Sequence, residues 1–140
     1  MKNSTCYLEH ANLTVHNLDE AIRFVTTAFP HFAIRGRGVS SGTPWVHVGT
    51  DTTYLAFSED ANLHSEREPY DDFGFNHLGF VVDDVSAIAE ALRAAGYEEG
   101  IRVDPNESRH RMYFFDADGT EWEFVQYFSD DPQIRNDYST

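Results

Sequence analysis

Cysteine, basic side chains and long apolar runs are scarce in this chain, and each shortage excludes something. Cys6 is the only cysteine among 140 residues, so neither an intrachain disulfide nor a thiolate metal cluster is possible. Lys and Arg number 10 against 24 Asp and Glu, a formal net charge of −14. Such a surface disfavours nucleic acid and anionic membranes as partners, while it admits metal cations and basic small molecules. No apolar run approaches the roughly 18 residues of a membrane span. The segment Met1–Cys6 has no apolar stretch of the secretory type, so a cytoplasmic location is expected. What is present is the material of a folded chain: 41% hydrophobic and 14% aromatic residues, enough for one domain or two small modules sharing a core.

Periodicity locates the elements. From Tyr7 to Val15, Ala11, Leu13 and Val15 share one face of a strand, and His10, Asn12 and Thr14 share the other. Asn17, with Glu20 three residues on, has the form of a helix cap. Leu18, Ala21, Ile22, Val25 and Ala28 follow at helical spacing up to Pro30. Three strands are expected between Phe32 and Phe57, with breaks at 35–38, 40–44 and 50–52. Residues 59–76 have no periodicity and read as a surface linker or a lid.

The pattern then restarts. Leu78, Phe80 and Val82 alternate with His77, Gly79 and Val81, and Asp84 caps a helix carrying Val85, Ile88, Ala89, Leu92 and Ala95, which Gly96 ends. Strands are expected around 101–103, 111–115 and 121–127, with a polar tail after Ser129. Before the last strand, Asp116-Ala-Asp-Gly119 reads as a tight reversal. Beyond it, Glu121 and Glu123 take one face while Trp122 and Phe124 take the other. Two carboxylates beside a core Trp fit a face that lines a cavity.

The two halves repeat. His77 minus His10 is 67, and the same offset relates Leu13 to Phe80, Val15 to Val82, Val25 to Leu92, Asp51 to Asp118 and Phe57 to Phe124. The expected fold is therefore α+β: two βαβββ modules, about 7–58 and 76–127, each with one helix over one sheet face. His10, His77 and Glu123 all fall on the faces opposite the helices. The fourth equivalent position is Ala56, which carries no ligand.

These features resemble the vicinal oxygen chelate superfamily, which includes glyoxalase I, extradiol dioxygenases, fosfomycin-resistance transferases and bleomycin-resistance proteins. The resemblance rests on His10 with its strand and the Asn-Leu-Asp-Glu-Ala helix start. It rests also on His77 before Leu-Gly-Phe-Val-Val-Asp-Asp, and on Asp-Ala-Asp-Gly-x-x-x-Glu123; it spans about residues 7–127. It implies paired modules forming a cup-shaped mixed sheet with helices outside, and a divalent ion held by His10, His77 and Glu123. In many small dimeric relatives the first of these would come from one chain and the other two from its partner, so a homodimer is expected. Two imidazoles and one carboxylate suit Fe, Mn, Ni, Co or Zn and leave coordination positions open for a small-molecule substrate.

The resemblance leaves the reaction open. In glyoxalase I the position of Ala56 supplies a ligand and the catalytic base, and that is lost here. Extradiol dioxygenases match the two-His, one-Glu set in type but are longer. The fosfomycin enzymes carry threonine where this chain has Asn12, and no basic residues suited to a phosphonate follow Glu123. Bleomycin-type sequestration needs no metal and suits an acidic protein. The expectation is a metal-dependent enzyme on a small oxygenated molecule, a glyoxalase-type lyase or isomerase or an extradiol-type dioxygenase, with metal-free drug binding as the alternative. Candidate catalytic residues are Glu121, Tyr54 and Tyr113. Glu121 otherwise reads as rim, and Tyr54 with Ser58 flanks Ala56. Trp45, His47, Arg109, His110 and Arg111 are candidates for substrate contact, and His16, His31 and His64 read as surface.

Overall fold

In the computed structural model, which describes residues 6–139, the sequence periodicities become two four-stranded sheets in two compact units, with the chain passing from one to the other between His64 and Ser65. The first unit runs β1 (His10–Val15), α1 (Leu18–Ala28), β2 (Ala33–Ser40), β3 (Thr43–Gly49), β4 (Tyr54–Glu59). Its sheet has the order β1-β4-β3-β2, with β1 parallel to β4 and the other neighbours antiparallel. The second unit runs β5 (His77–Val81), α2 (Val85–Ala94), β6 (Glu98–Glu99), β7 (Arg109–Phe115), β8 (Glu121–Tyr127) and a short α3 (Pro132–Arg135). Its order, β5-β8-β7-β6, has the same polarities. No helix among the described residues is long and apolar enough to cross a membrane.

Local chemistry explains the helix limits. The Asn17 side chain accepts the Glu20 amide at 3.0 Å, and the Asp84 side chain accepts that of Ala87 at 3.0 Å, so each helix starts where an orphan N–H finds an oxygen. Gly96 ends α2 in the left-handed region, φ +88°, where a side chain is strained. Each helix covers one face of its own sheet. Phe24, Val25 and Ala28 are buried with Val46, Val48, Leu55 and Phe57 in the first unit, and Val85, Ala89 and Leu92 with Phe114, Trp122 and Phe124 in the second. This apolar burial is the main drive for each unit. The opposite faces carry His10, Asn12, Ala56, His77, Gly79 and Glu123.

Three expectations needed correction. The Gly-containing stretch 35–38 is not a break, because β2 continues through it with an irregularity between Ile34 and Gly36. Glycine serves there to let a ring lie flat: a Cβ on Gly38 would come within 3.1 Å of the Trp45 indole. Residues 101–103 form no strand. The ladder stops at Glu99 and the Gly100 amide, which donates to the Tyr113 carbonyl at 2.7 Å. The chain then leaves β7 through Asp104-Pro105, where proline offers no amide and disfavours pairing. Finally, the offset of 67 holds for β1 with β5 and β4 with β8, but not for β3 with β7. His47 faces Ala56 and Tyr113 faces Glu123, so the equivalent pair is His47 and Tyr113, and 113 minus 47 is 66. The turn between β7 and β8 is one residue longer than its counterpart.

That longer turn is built around Asp116. Its Oδ1 accepts the amides of Asp118 and Thr120, both at 2.9 Å, and its Oδ2 accepts the Trp122 indole N–H at 3.1 Å. Burial pushes the carboxyl above its ordinary range, opposed by the Trp122 and backbone donors. Removing it strands three donors around a fully buried tryptophan. Asp116→Ala should lower unfolding stability by about 1–3 kcal/mol, read as a fall in the urea midpoint with an unchanged slope. An unchanged midpoint would show that water satisfies these donors.

Candidate functional site

The second unit assembles a polar cluster on the face turned away from α2. Parallel pairing sets His77 of β5 beside Glu121 and Gly79 beside Glu123, while antiparallel pairing sets Tyr113 of β7 beside Glu123. Residues two apart on a strand share a face, so His77, Glu121, Glu123 and Tyr113 converge. His77 Nε2 lies 3.0 Å from Glu123 Oε2, and His77 Nδ1 lies 3.4 Å from Glu121 Oε1. The Tyr113 hydroxyl donates to Glu123 Oε1 at 2.8 Å. Tyr70, from the segment preceding β5, places its hydroxyl 2.8 Å from His77 Nδ1 and donates to Glu121 Oε1 in a very short hydrogen bond.

Both phenols are held as donors. Hydrogen bonding to Glu121, then burial, pushes Tyr70 up to about 12. Burial first, and the bond to Glu123 second, pushes Tyr113 up to about 12. Neither is ionised near neutrality, so in this arrangement the Tyr113 hydroxyl donates to Glu123. Glu121, read from the sequence as rim, is instead 9% exposed and bound to Tyr70.

In the first unit His10 Nδ1 meets Glu9 Oε1 at 2.9 Å. The bond from His10, then one from Tyr54, holds the Glu9 carboxyl below its usual range. The rings of His10 and Tyr54 stack at 4.7 Å, with the Arg35 guanidinium 4.1 Å from the Tyr54 centroid. His47 continues the row, 4.9 Å from Tyr54 and 4.8 Å from Trp45. Ala56 faces Asn12 as Glu123 faces Gly79, and it lines a cavity of about 320 Å³ with Asn12, Trp45, His47 and Ser58.

The two imidazoles are thus both held at Nδ1, by Glu9 in one unit and in the other by Tyr70, which is itself bonded to Glu121. A ring held at Nδ1 presents Nε2 to a ligand, the usual outer-shell device behind a metal-bound histidine. The donor chemistry of His77 and Glu123 therefore fits a divalent ion. Two neighbouring donors do not fill a coordination sphere, however, and among the described residues no group of three or more His, Cys, Asp or Glu is arranged to hold one.

Other candidates separate by position. Arg109 is 7% exposed, and its guanidinium donates to the Asp137 carbonyl and lies 4.7 Å from the Tyr138 ring. It pins the C-terminal tail. His110 and Arg111 line a cavity of about 400 Å³ at the open edge of β7. His16 is tied to the Leu63 carbonyl at 2.9 Å, His31 packs on Phe29 and Phe32, and His64 is exposed. Sequence reasoning missed Tyr70 and Glu9. Tyr70 sits in a stretch without periodicity, and no signal there marks it; Glu9 was open to detection as the carboxylate next to the first histidine.

The family profile of the Glyoxalase/Bleomycin resistance protein/Dioxygenase superfamily matches residues 7–124, and the chain belongs to that superfamily. Its fold is shared with a glyoxylase/bleomycin resistance protein/dioxygenase domain from Frankia sp. EAN1pec (TM-score 0.76, 21% identity, covering 91% of this chain and 96% of that one). A glyoxalase family protein from Bacillus cereus is similar at TM-score 0.73 and 18% identity, with 91% and 98% covered. The fosfomycin resistance protein FosX from Listeria monocytogenes is similar at TM-score 0.71 and 18% identity, with 94% and 99% covered. FosX has also been solved in complex with Mn(II) and sulfate. No curated protein sequence matches the chain significantly.

An ultraviolet absorbance titration tests the state of the phenols. Of the seven tyrosines, Tyr70 and Tyr113 should ionise late, near 12, and Tyr113→Phe should remove one late step. Loss of an ordinary step near 10 in that variant would place the Tyr113 hydroxyl in water.

Proposed function

We propose that this protein is a divalent-metal-dependent enzyme acting on a small oxygenated molecule, by lyase, isomerase or dioxygenase chemistry of the kinds its superfamily name spans. The observation that carries the reading is the 3.0 Å approach of His77 Nε2 to Glu123 Oε2, with the far side of the imidazole already held. A nitrogen and a carboxylate oxygen that close need a hydrogen between them or a cation in its place. His77 and Glu123 are the proposed ligands, and His10, oriented by Glu9, is the proposed third, from the same chain or a second copy in a homodimer. Mn(II) in FosX supports a hard or borderline divalent ion, though Fe, Ni, Co and Zn suit the same donors.

When bound, such an ion polarises a carbonyl or enediolate oxygen and lowers the pKa of bound water. The protein's own part is to orient. Tyr113 fixes one oxygen of Glu123 and leaves the other toward His77. Gly79, opposite Glu123, offers no side chain to crowd it. Glu121 is accessible only to a minor degree, and its proposed part is to hold Tyr70 against the imidazole.

A second reading has its own support. The row Trp45, His47, Tyr54 and His10 beside the cavity at Ala56 is a platform for a flat ligand, which suits binding and sequestration without a metal. Metal analysis separates the two. Protein purified without added metal should retain a divalent ion or take up Mn(II) at about one per chain, and Glu123→Gln should abolish retention while leaving the fold intact. Full occupancy in that variant overturns the ligand assignment. No uptake by the unaltered protein, together with micromolar-range binding of a basic aromatic drug, favours sequestration. Oxygen uptake with catechols favours the dioxygenase branch, and turnover of methylglyoxal with a thiol favours the lyase branch.

A further inference from the structure

The segment between the two sheets holds one residue that the fold alone does not account for. Tyr70 has φ +73°, in the left-handed region that side chains other than glycine rarely adopt. Its residue surface is 61% exposed, so burial of the ring is not what keeps it there. Polar bonds are. The Tyr70 amide donates to Asn76 Oδ1 at 2.7 Å, and Arg67 Nη2 donates to the same oxygen at 3.3 Å. Arg67 Nε donates to the Phe73 carbonyl at 2.9 Å, and the Glu68 amide to Asp72 Oδ2 at 2.8 Å. The loop is thereby cinched onto Asn76, the residue immediately before His77. At its inner end the Tyr70 hydroxyl meets His77 Nδ1 and Glu121.

Proton accounting gives that hydroxyl a direction. A phenol has one hydrogen, and an ionised carboxylate only accepts. The hydrogen therefore goes to Glu121, and the Tyr70 oxygen is left to accept Nδ1–H of His77. With a hydrogen fixed on Nδ1, the hydrogen between Nε2 and Glu123 is the one a cation replaces, and the Nε2 lone pair then faces that cation beside Glu123. Glu121 alone, 3.4 Å from Nδ1, is too distant for a firm bond. We propose that Tyr70 is a positioning residue: clasped by Asn76 and Arg67, it joins Glu121 to His77 and sets the imidazole with Nε2 toward the proposed metal. This rests on the ligand role of His77 proposed above, and it turns part of the segment between residues 59 and 76 from a linker into an outer wall of the site.

The test combines two readouts. Calorimetric titration of the metal-free protein with Mn(II) compares the unaltered chain with Tyr70→Phe, Asn76→Ala and His77→Ala. Proton NMR of the metal-free protein follows the hydrogen-bonded ring N–H of His77. Tyr70→Phe should weaken Mn(II) binding about 10–100-fold and abolish the protected Nδ1–H signal. Asn76→Ala, which loosens the clasp without touching the ring, should act in the same direction and less. Mn(II) affinity in Tyr70→Phe within about twofold of the unaltered chain overturns the proposal, since outer-shell losses exceed that. If the unaltered chain takes up no Mn(II), or His77→Ala binds as well as it does, the ligand reading fails separately. The ring signal then decides alone: its persistence in Tyr70→Phe overturns the positioning role, and its loss upholds it.

Discussion

An imidazole is a useful metal ligand only when something fixes which nitrogen carries hydrogen and where the ring points. In this protein the second sheet supplies that constraint through a chain of contacts from Glu121 through Tyr70 to His77 Nδ1, leaving Nε2 3.0 Å from Glu123. Most of the architecture around the cluster serves this arrangement. Parallel β5 and β8 bring the histidine and the two glutamates to one level, and β7 delivers the Tyr113 hydroxyl that holds the other oxygen of Glu123. Behind them Trp122 and Phe124 are buried under α2, so the polar face has a rigid apolar backing.

The first unit repeats the frame and changes its contents. Its histidine is held at Nδ1 by an adjacent glutamate, Ala56 stands where the second unit has Glu123, and beside it lies a cavity walled by Trp45 and His47. One fold unit thus carries the paired donors and the other an aromatic wall. The −14 net charge of the chain agrees with attraction of cations, yet it does not identify a ligand, since acidity chiefly confers solubility.

How far the sequence disclosed this depended on the kind of information each residue carried. Strands β1, β4, β5 and β8 were legible because alternation marks a half-buried strand, and the two helices because Asn17 and Asp84 cap an apolar stripe. His77, Glu121 and Glu123 were placed on the faces away from the helices by period, whereas the approach of Tyr113 to Glu123 came only with the strand register. The stretch 101–103 misled because Ile101 and Val103 alternate like a strand, while Ile101 is 68% exposed and Pro105 draws the chain off the sheet. The shift of β3 against β7 was hidden by turns of different length, which an ungapped offset cannot register. Tyr70 was illegible for a deeper reason. Its role comes from a clasp of side chains in an irregular loop, and such contacts leave no period behind.

The claim that matters most is that His77 and Glu123 share one cation through Nε2 and Oε2. A crystal of the protein loaded with Zn(II), with the metal located by its anomalous scattering, tests it without reference to any substrate. The account predicts a peak about 2 Å from both atoms, with Nδ1 still turned to Tyr70. A peak elsewhere, or one bound through Nδ1, would contradict it.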